Sequence, residues 1–193
     1  MNPATQIQAY YNTPDIQAAQ SNANSAQQNA TNYASAASLL PQKLREAIPD
    51  ISLTTDIIAG FPGETEKDFM KLREFVAETG FNNVGVFTYS REPGTSAADL
   101  PGQVPEALKT ARMNELINTQ SRVLDRMNTG LTGKTVTVLM DSGNFGRTYR
   151  DAPDIDGRVE VINRKQRRQP KAGDLIDVKI TGASGYLRCG TII

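Results

Sequence analysis

Ile51-Ser-Leu-Thr-Thr-Asp-Ile-Ile-Ala59 runs straight into Gly60-Phe-Pro-Gly63, and the reading of this junction decides the fold. The first stretch is β-rich and mostly apolar, the pattern of a strand covered on both faces. Two glycines and a proline then fit a sharp turn. Thr65 reads as an N-cap with Asp68 three residues on, and Glu64, Glu66 and Asp68 sit near the helix's positive end. Phe69, Leu72, Phe75 and Val76 follow at helical spacing, and Gly80 is a C′ stop. Phe81 to Ser90 returns as a second strand with Val84, Val86 and Phe87 at its centre. A crossover of this length through a helix makes the two strands parallel and the connection right-handed. The loops that follow the two strands therefore open at one rim, the carboxyl end of the sheet, where α/β folds place ligands.

Upstream, residues 1–40 form a low-complexity leader: 29 of the 40 are Ala, Asn, Gln, Ser or Thr, and Asp15 is the one charged side chain. Such a segment has too little apolar surface to offset its ordering entropy, so disorder is expected. Pro41 to Ile48 reads as a short helix with proline in its first turn. Downstream, Arg91-Glu-Pro-Gly-Thr-Ser96 is the second rim loop. Pro105 begins the longest helix, which runs to about Met127. Its apolar stripe is Leu108, Met113, Leu116, Ile117, Gln120, Leu124 and Met127, with Lys109 and Arg112 falling elsewhere. The expected role is a helix packed on the sheet.

After Gly130 the period changes from helical to two. Val136 and Val138 alternate with threonines, and Arg158–Ile162 and Ile176–Ile180 alternate too, with glycines between the runs. Four or five short strands in about sixty residues predict a small antiparallel barrel of the OB type. Three segments result: 1–40, 41–129 and 130–193. Net charge is −3 over 41–129 and +4 over 130–193, and with Asp15 of the leader the whole chain comes to zero.

Cysteine and histidine usage limits the chemistry. The chain has no histidine and one cysteine, Cys189. Histidine dyads and histidine metal sites are excluded within it, as are an intrachain disulfide and a complete cysteine-ligated iron–sulfur cluster. Cys189, two residues from Leu187, reads as a small apolar core residue. No run is apolar enough to cross a bilayer and no signal-peptide series is present, so a cytoplasmic protein is expected.

The residues at three places resemble one family. Ile48 to Thr65 is similar to the fifth-strand region of radical S-adenosylmethionine methylthiotransferases. Phe87-Thr-Tyr-Ser-Arg-Glu-Pro-Gly-Thr-Ser-Ala97 resembles their sixth strand and rim loop, and the closing barrel resembles their TRAM domain. Within it, Gly146-Arg-Thr-Tyr-Arg-Asp-Ala-Pro-Asp-Ile-Asp-Gly157 is similar to the signature of the RimO branch. That branch methylthiolates an aspartate of small-subunit ribosomal protein twelve. Glu92 also favours it over the sister MiaB branch, which acts on transfer RNA, although Ser52–Ile58 reads slightly more like MiaB. The expected fold is α/β, a partial radical-SAM (βα) barrel followed by the TRAM barrel.

The resemblance implies S-adenosylmethionine and 4Fe-4S clusters as cofactors. It implies contacts to the methionine cofactor from Gly60, Gly63, Glu64, Ser90, Gly94 and Thr95. The same residues also read simply, as two glycine turns with Glu64 capping a helix. Asp151, Asp154, Asp156 and Arg147 become the substrate-facing set, the substrate being a ribosomal protein. RNA is the other candidate partner; DNA and membrane are not implied. The acidic trio lacks the spacing of an EF-hand calcium loop. The basic run Arg164 to Lys171 reads either as a nucleic-acid footprint or as a solvated turn.

This chain departs from the family's pattern at the cysteines. The Cys-x-x-x-Cys-x-x-Cys loop and the second cluster's three cysteines are absent. The expectation is a C-terminal part that is not catalytic alone, with a non-catalytic RNA- or protein-binding module as the alternative.

Overall fold

The computed structural model describes residues 39–162 and 169–193, in two units, Met1–Ile51 and Ser52–Ile193. In the first unit residues 39–47 are helical (α1), closed by the Ile48 amide on Leu44 O at 2.8 Å. Most of the low-complexity leader, and Arg164 to Arg168 of the basic run, lie outside the described residues.

The second unit begins with the βαβ unit. Strand β1 is Thr54–Ala59, helix α2 is Glu66–Thr79 and strand β2 is Asn83–Thr88. The strands pair in parallel from Thr54 opposite Asn83 to Ala59 opposite Thr88. Thr65 caps α2 in a closed capping box, accepting from the Asp68 amide and donating to Asp68 Oδ2 at 2.6 Å. The bonds from the Thr65 hydroxyl and amide hold the Asp68 carboxyl below its usual range. Gly80 ends the helix at φ 67, a left-handed conformation that costs a glycine little. Helix α3, Glu106–Thr129, crosses back over the same layer. The core between helices and sheet is Ile57, Ala59, Phe69, Val76, Leu116 and Val123.

Two expectations change here. The sheet is not covered on both faces: Ile58 and Phe87, neighbours in register, are 56% and 57% exposed. Among the described residues this parallel sheet has two strands, with α3 packed on both of them and α2 packed against α3. On α3, Leu108 and Ile117 are exposed while Lys109 and Arg112 are buried at 3% and 4% exposure. The helix is rotated relative to an all-apolar stripe because its first turns lie over the polar rim loops, not over the sheet.

The rest of the unit is a closed barrel of β3 (Thr135–Met140), β4 (Phe145–Arg147), β5 (Arg158–Ile162), β6 (Leu175–Ser184) and β7 (Leu187–Ile192). Its order is β3-β4-β5-β7-β6, antiparallel except for the β5–β7 pair. Val138, Met140, Val159, Val161, Val178 and Ile180 fill it. The phase of β7 differs from the sequence reading: Arg188 and Gly190 are buried, whereas Leu187 is exposed and Cys189 is half-buried. The cause is the narrow interior. A methyl on Gly190 would lie 2.5 Å from Val178 Cγ1 and 2.6 Å from Lys179 O. Gly190→Ala is therefore expected to cost about 1–3 kcal/mol by overpacking. Gly143→Ala, where the added methyl meets open space, should stay within about 1 kcal/mol. Urea unfolding of the two variants checks this, and equal midpoints would contradict it.

Candidate functional site

Parallel pairing puts the two glycine loops side by side. β1 ends at Ala59 and β2 at Thr88, and the Tyr89 amide donates to Ala59 O at 2.9 Å, so both loops leave the same end of the sheet. Gly60, Gly63 and Gly94 have φ of 76, 86 and 81. At Gly63 and Gly94 a methyl would meet nothing within 4 Å, so their Cα faces are open to close approach from outside, while the Gly63 amide is already donated to Gly102 O at 2.9 Å. In the second loop Ser90 Oγ donates to Glu92 Oε1 at 2.7 Å, and Thr95 Oγ1 donates to Glu92 O at 2.8 Å.

Glu64 faces inward. Its carboxylate accepts from the Gly60 amide at 3.1 and 3.2 Å and from Arg112 Nη1 at 2.7 Å. Arg112 also donates to Glu64 O and to Glu66 Oε2. Lys109 Nζ donates to Tyr89 O at 2.9 Å and pairs with Glu106 at 2.6 Å. Sequence reasoning missed both cations because a charge on a helix reads as solvent-facing. One signal pointed to them: counting back from Leu116, Arg112 and Lys109 continue the buried stripe at spacings of four and three.

The barrel residues lie elsewhere. The Asp151 side chain is buried and ion-paired, with Oδ1 on Arg188 Nη2 at 2.5 Å and Oδ2 taking the Thr148 amide and hydroxyl. Asp156 accepts from the Ala152 amide at 2.7 Å and from Asn83 Nδ2, at the start of β2. The end of α3 joins the same seam: Asn128 donates to Gly185 O at 2.8 Å, and Asp125 accepts from the Gly185 amide at 2.7 Å. Burial, and then the Asp156 carboxylate, push the Tyr186 phenol above its ordinary value, so it stays a neutral hydroxyl beside this seam. Asp154 is exposed at φ 61, a left-handed conformation aspartate tolerates better than most residues. Arg147 pairs with Asp141 at 2.5 Å. Asp154 and Arg147 border an open cleft of about 760 Å³ that also holds Phe145, Arg158 and Tyr186.

The two candidate sets are thus not brought together. Asp156 reaches Asn83 at the amino end of β2, and the rim loops begin beyond Thr88, roughly 17 Å further along the strand.

The TRAM domain family model matches residues 132–193. Ribosomal protein uS12 methylthiotransferase RimO of Elusimicrobium minutum is 55% identical over 150 residues, covering 78% of this chain and 34% of that protein. The RimO proteins of Clostridium kluyveri and Syntrophotalea carbinolica are 44% and 42% identical, over 78% and 80% of this chain and 34% of each relative. The matched segment corresponds to the C-terminal part of a RimO-branch methylthiotransferase. The chain spans about a third of the length of the RimO relatives it matches. Among solved structures, the apo form of Mycoplasma genitalium RNase R aligns with 45% of this chain and 17% of its own, at 17% identity and a TM-score of 0.26, too slight a likeness to argue from.

No helix among the described residues is long and apolar enough to cross a membrane.

Proposed function

We propose that this chain carries the cofactor rim and the closing barrel of a RimO-type enzyme. Such an enzyme transfers a methylthio group to an aspartate of ribosomal protein uS12. The observation that carries this reading is the 55% identity to a uS12 methylthiotransferase over 78% of the chain.

The residues present fit S-adenosylmethionine and do not fit an iron–sulfur cluster. The open main chain at Gly63 and Gly94 and the Ser90 hydroxyl are the groups that would hold the cofactor, with Glu64 and Thr95 supporting them from within the loops. When bound, S-adenosylmethionine supplies the methyl group and the radical source. A cluster needs about four cysteine-type ligands. Cys189 stands alone, with its thiol 3.5 Å from Gly182 O in the barrel wall.

For the protein substrate, the exposed carboxylate of Asp154 beside the barrel cleft is the contact we assign, with Arg147 at the cleft's edge. Asp151 and Asp156 hold the turn that presents it. A ribosomal protein is basic, and charge complementarity steers such encounters. Asp154→Lys in the full chain reverses one exposed charge and should weaken binding of ribosomal protein uS12 about two- to tenfold. Binding of that protein and of a transfer RNA, measured at two salt concentrations, decides it. Transfer-RNA binding that falls steeply with salt and is strengthened by Asp154→Lys would favour an RNA-binding module instead.

A further inference from the structure

We propose that Lys109 and Arg112 are positioning residues that lock the two rim loops into one ligand-binding surface. The identity of the ligand rests on the reading above, but the coupling of the loops does not.

The two side chains stand three residues apart on the first turns of α3, on one face and almost wholly buried. Each holds the main chain of a different loop. Lys109 Nζ donates to the carbonyl of Tyr89, the residue before Ser90, and lies 5.1 Å from the Tyr89 ring centroid. Its aliphatic stem fills the space over Gly60, where a side chain on Gly60 would overlap it. Arg112 takes the first loop from within, binding both the carbonyl and the carboxylate of Glu64, while that carboxylate holds the Gly60 amide. The carbonyls of Tyr89 and Glu64 lie beyond the strand pairing, so the buried cations give them partners the sheet does not.

Removing two charges from water is costly unless they are paired and hydrogen-bonded. Here Lys109 relies on the Tyr89 carbonyl besides Glu106 of its own helix, and Arg112 on the carbonyl and carboxylate of Glu64 besides Glu66, so each charge loses a loop partner if its loop leaves this conformation. Gly63 and Gly94 remain open on the outer side. A ligand therefore meets main chain that is already ordered, and preorganisation lowers the cost of binding.

Amide hydrogen exchange on the full chain tests the coupling. In the wild type, the Gly63, Glu64, Tyr89 and Thr95 amides, bonded to the carbonyls of Gly102, Phe61, Ala59 and Glu92, should open together as one block. Lys109→Met keeps the stem over Gly60 and deletes the ammonium. It should speed exchange at Tyr89 and Thr95 by about tenfold or more, leaving Met140 and Val161 in the barrel unchanged. Arg112→Met should do the same at Gly63 and Glu64, and Arg112→Lys should restore part of the protection. Independent opening of the two loops in the wild type overturns the proposal without reference to any variant. So does a change spread equally over rim and barrel.

Titration with S-adenosylhomocysteine separates this inference from the one it builds on. The wild type should bind, and Lys109→Met should bind about tenfold more weakly, ~1.4 kcal/mol, with partial recovery in Lys109→Arg. Equal affinity in wild type and Lys109→Met overturns the positioning role. No binding by the wild type overturns the cofactor assignment of the rim, and the exchange data then decide the coupling alone.

Discussion

Asp151→Ala is expected to destabilise the second unit by about 3–5 kcal/mol, because it leaves the Arg188 guanidinium buried without its charge partner. The pair is 2.5 Å long with side chains 7% and 3% exposed. Asp151 also accepts the Thr148 amide and hydroxyl, so the truncation strands three donors at once. The fall in the midpoint of thermal unfolding should be on the order of 10 °C. The control is the double variant Asp151→Leu with Arg188→Met. It replaces the pair by apolar side chains and should regain most of the loss, since a buried ion pair is often worth little more than its hydrophobic replacement. A single variant within about 1 kcal/mol of wild type would show that the turn is held by other contacts.

Phe69→Ala should cost about as much, ~3–5 kcal/mol, through the cavity it opens. Phe69 is fully buried on α2, and the Arg112 guanidinium carbon lies 5.2 Å from its ring centroid. The loss therefore removes core packing and also one wall of the arginine's seat. Chemical unfolding gives the size of the effect. A cycle with Arg112→Met should show clear non-additivity, as expected of residues in contact. Phe61→Ala is the comparison, since Phe61 is 44% exposed and meets Tyr89 edge-on. If both truncations cost the same, the core does not centre on Phe69.

Much of this architecture could be read from local chemistry. Thr65 with Asp68, Gly80, and the change of period after Gly130 each have a local cause, and helix and strand boundaries follow them closely. What local chemistry does not show is which distant groups meet a buried charge. Nothing adjacent in sequence tells Arg112 that Glu64 waits 48 residues upstream. Nothing near Arg188 points to Asp151. The phase of β7 is hidden by a second long-range cause, the narrow interior at Gly190. Leu187 and Cys189 look like the inward pair, yet the barrel has room inside for a glycine at 190 and an ion pair at 188. At the rim, glycine content pointed to the two loops that leave the same end of the sheet. It could not show that Glu64 turns inward, or that the acidic turn docks at the far end of β2.

Helix α3 touches both ends of the unit. Near its start it grips the rim through Lys109 and Arg112, and in its last turns it grips the barrel through Asp125 and Asn128. Between Lys109 and Asn128 lie about 28 Å of continuous helix. Mechanically this is a lever with a load at each tip. A helix is stiff over that length, so a tilt of about five degrees imposed at the barrel moves the rim end by roughly 2 Å. That is enough to make or break the hydrogen bonds that shape the two loops. A macromolecule pressing on the barrel thus has a rigid rod through which to be felt at the opposite end of the sheet.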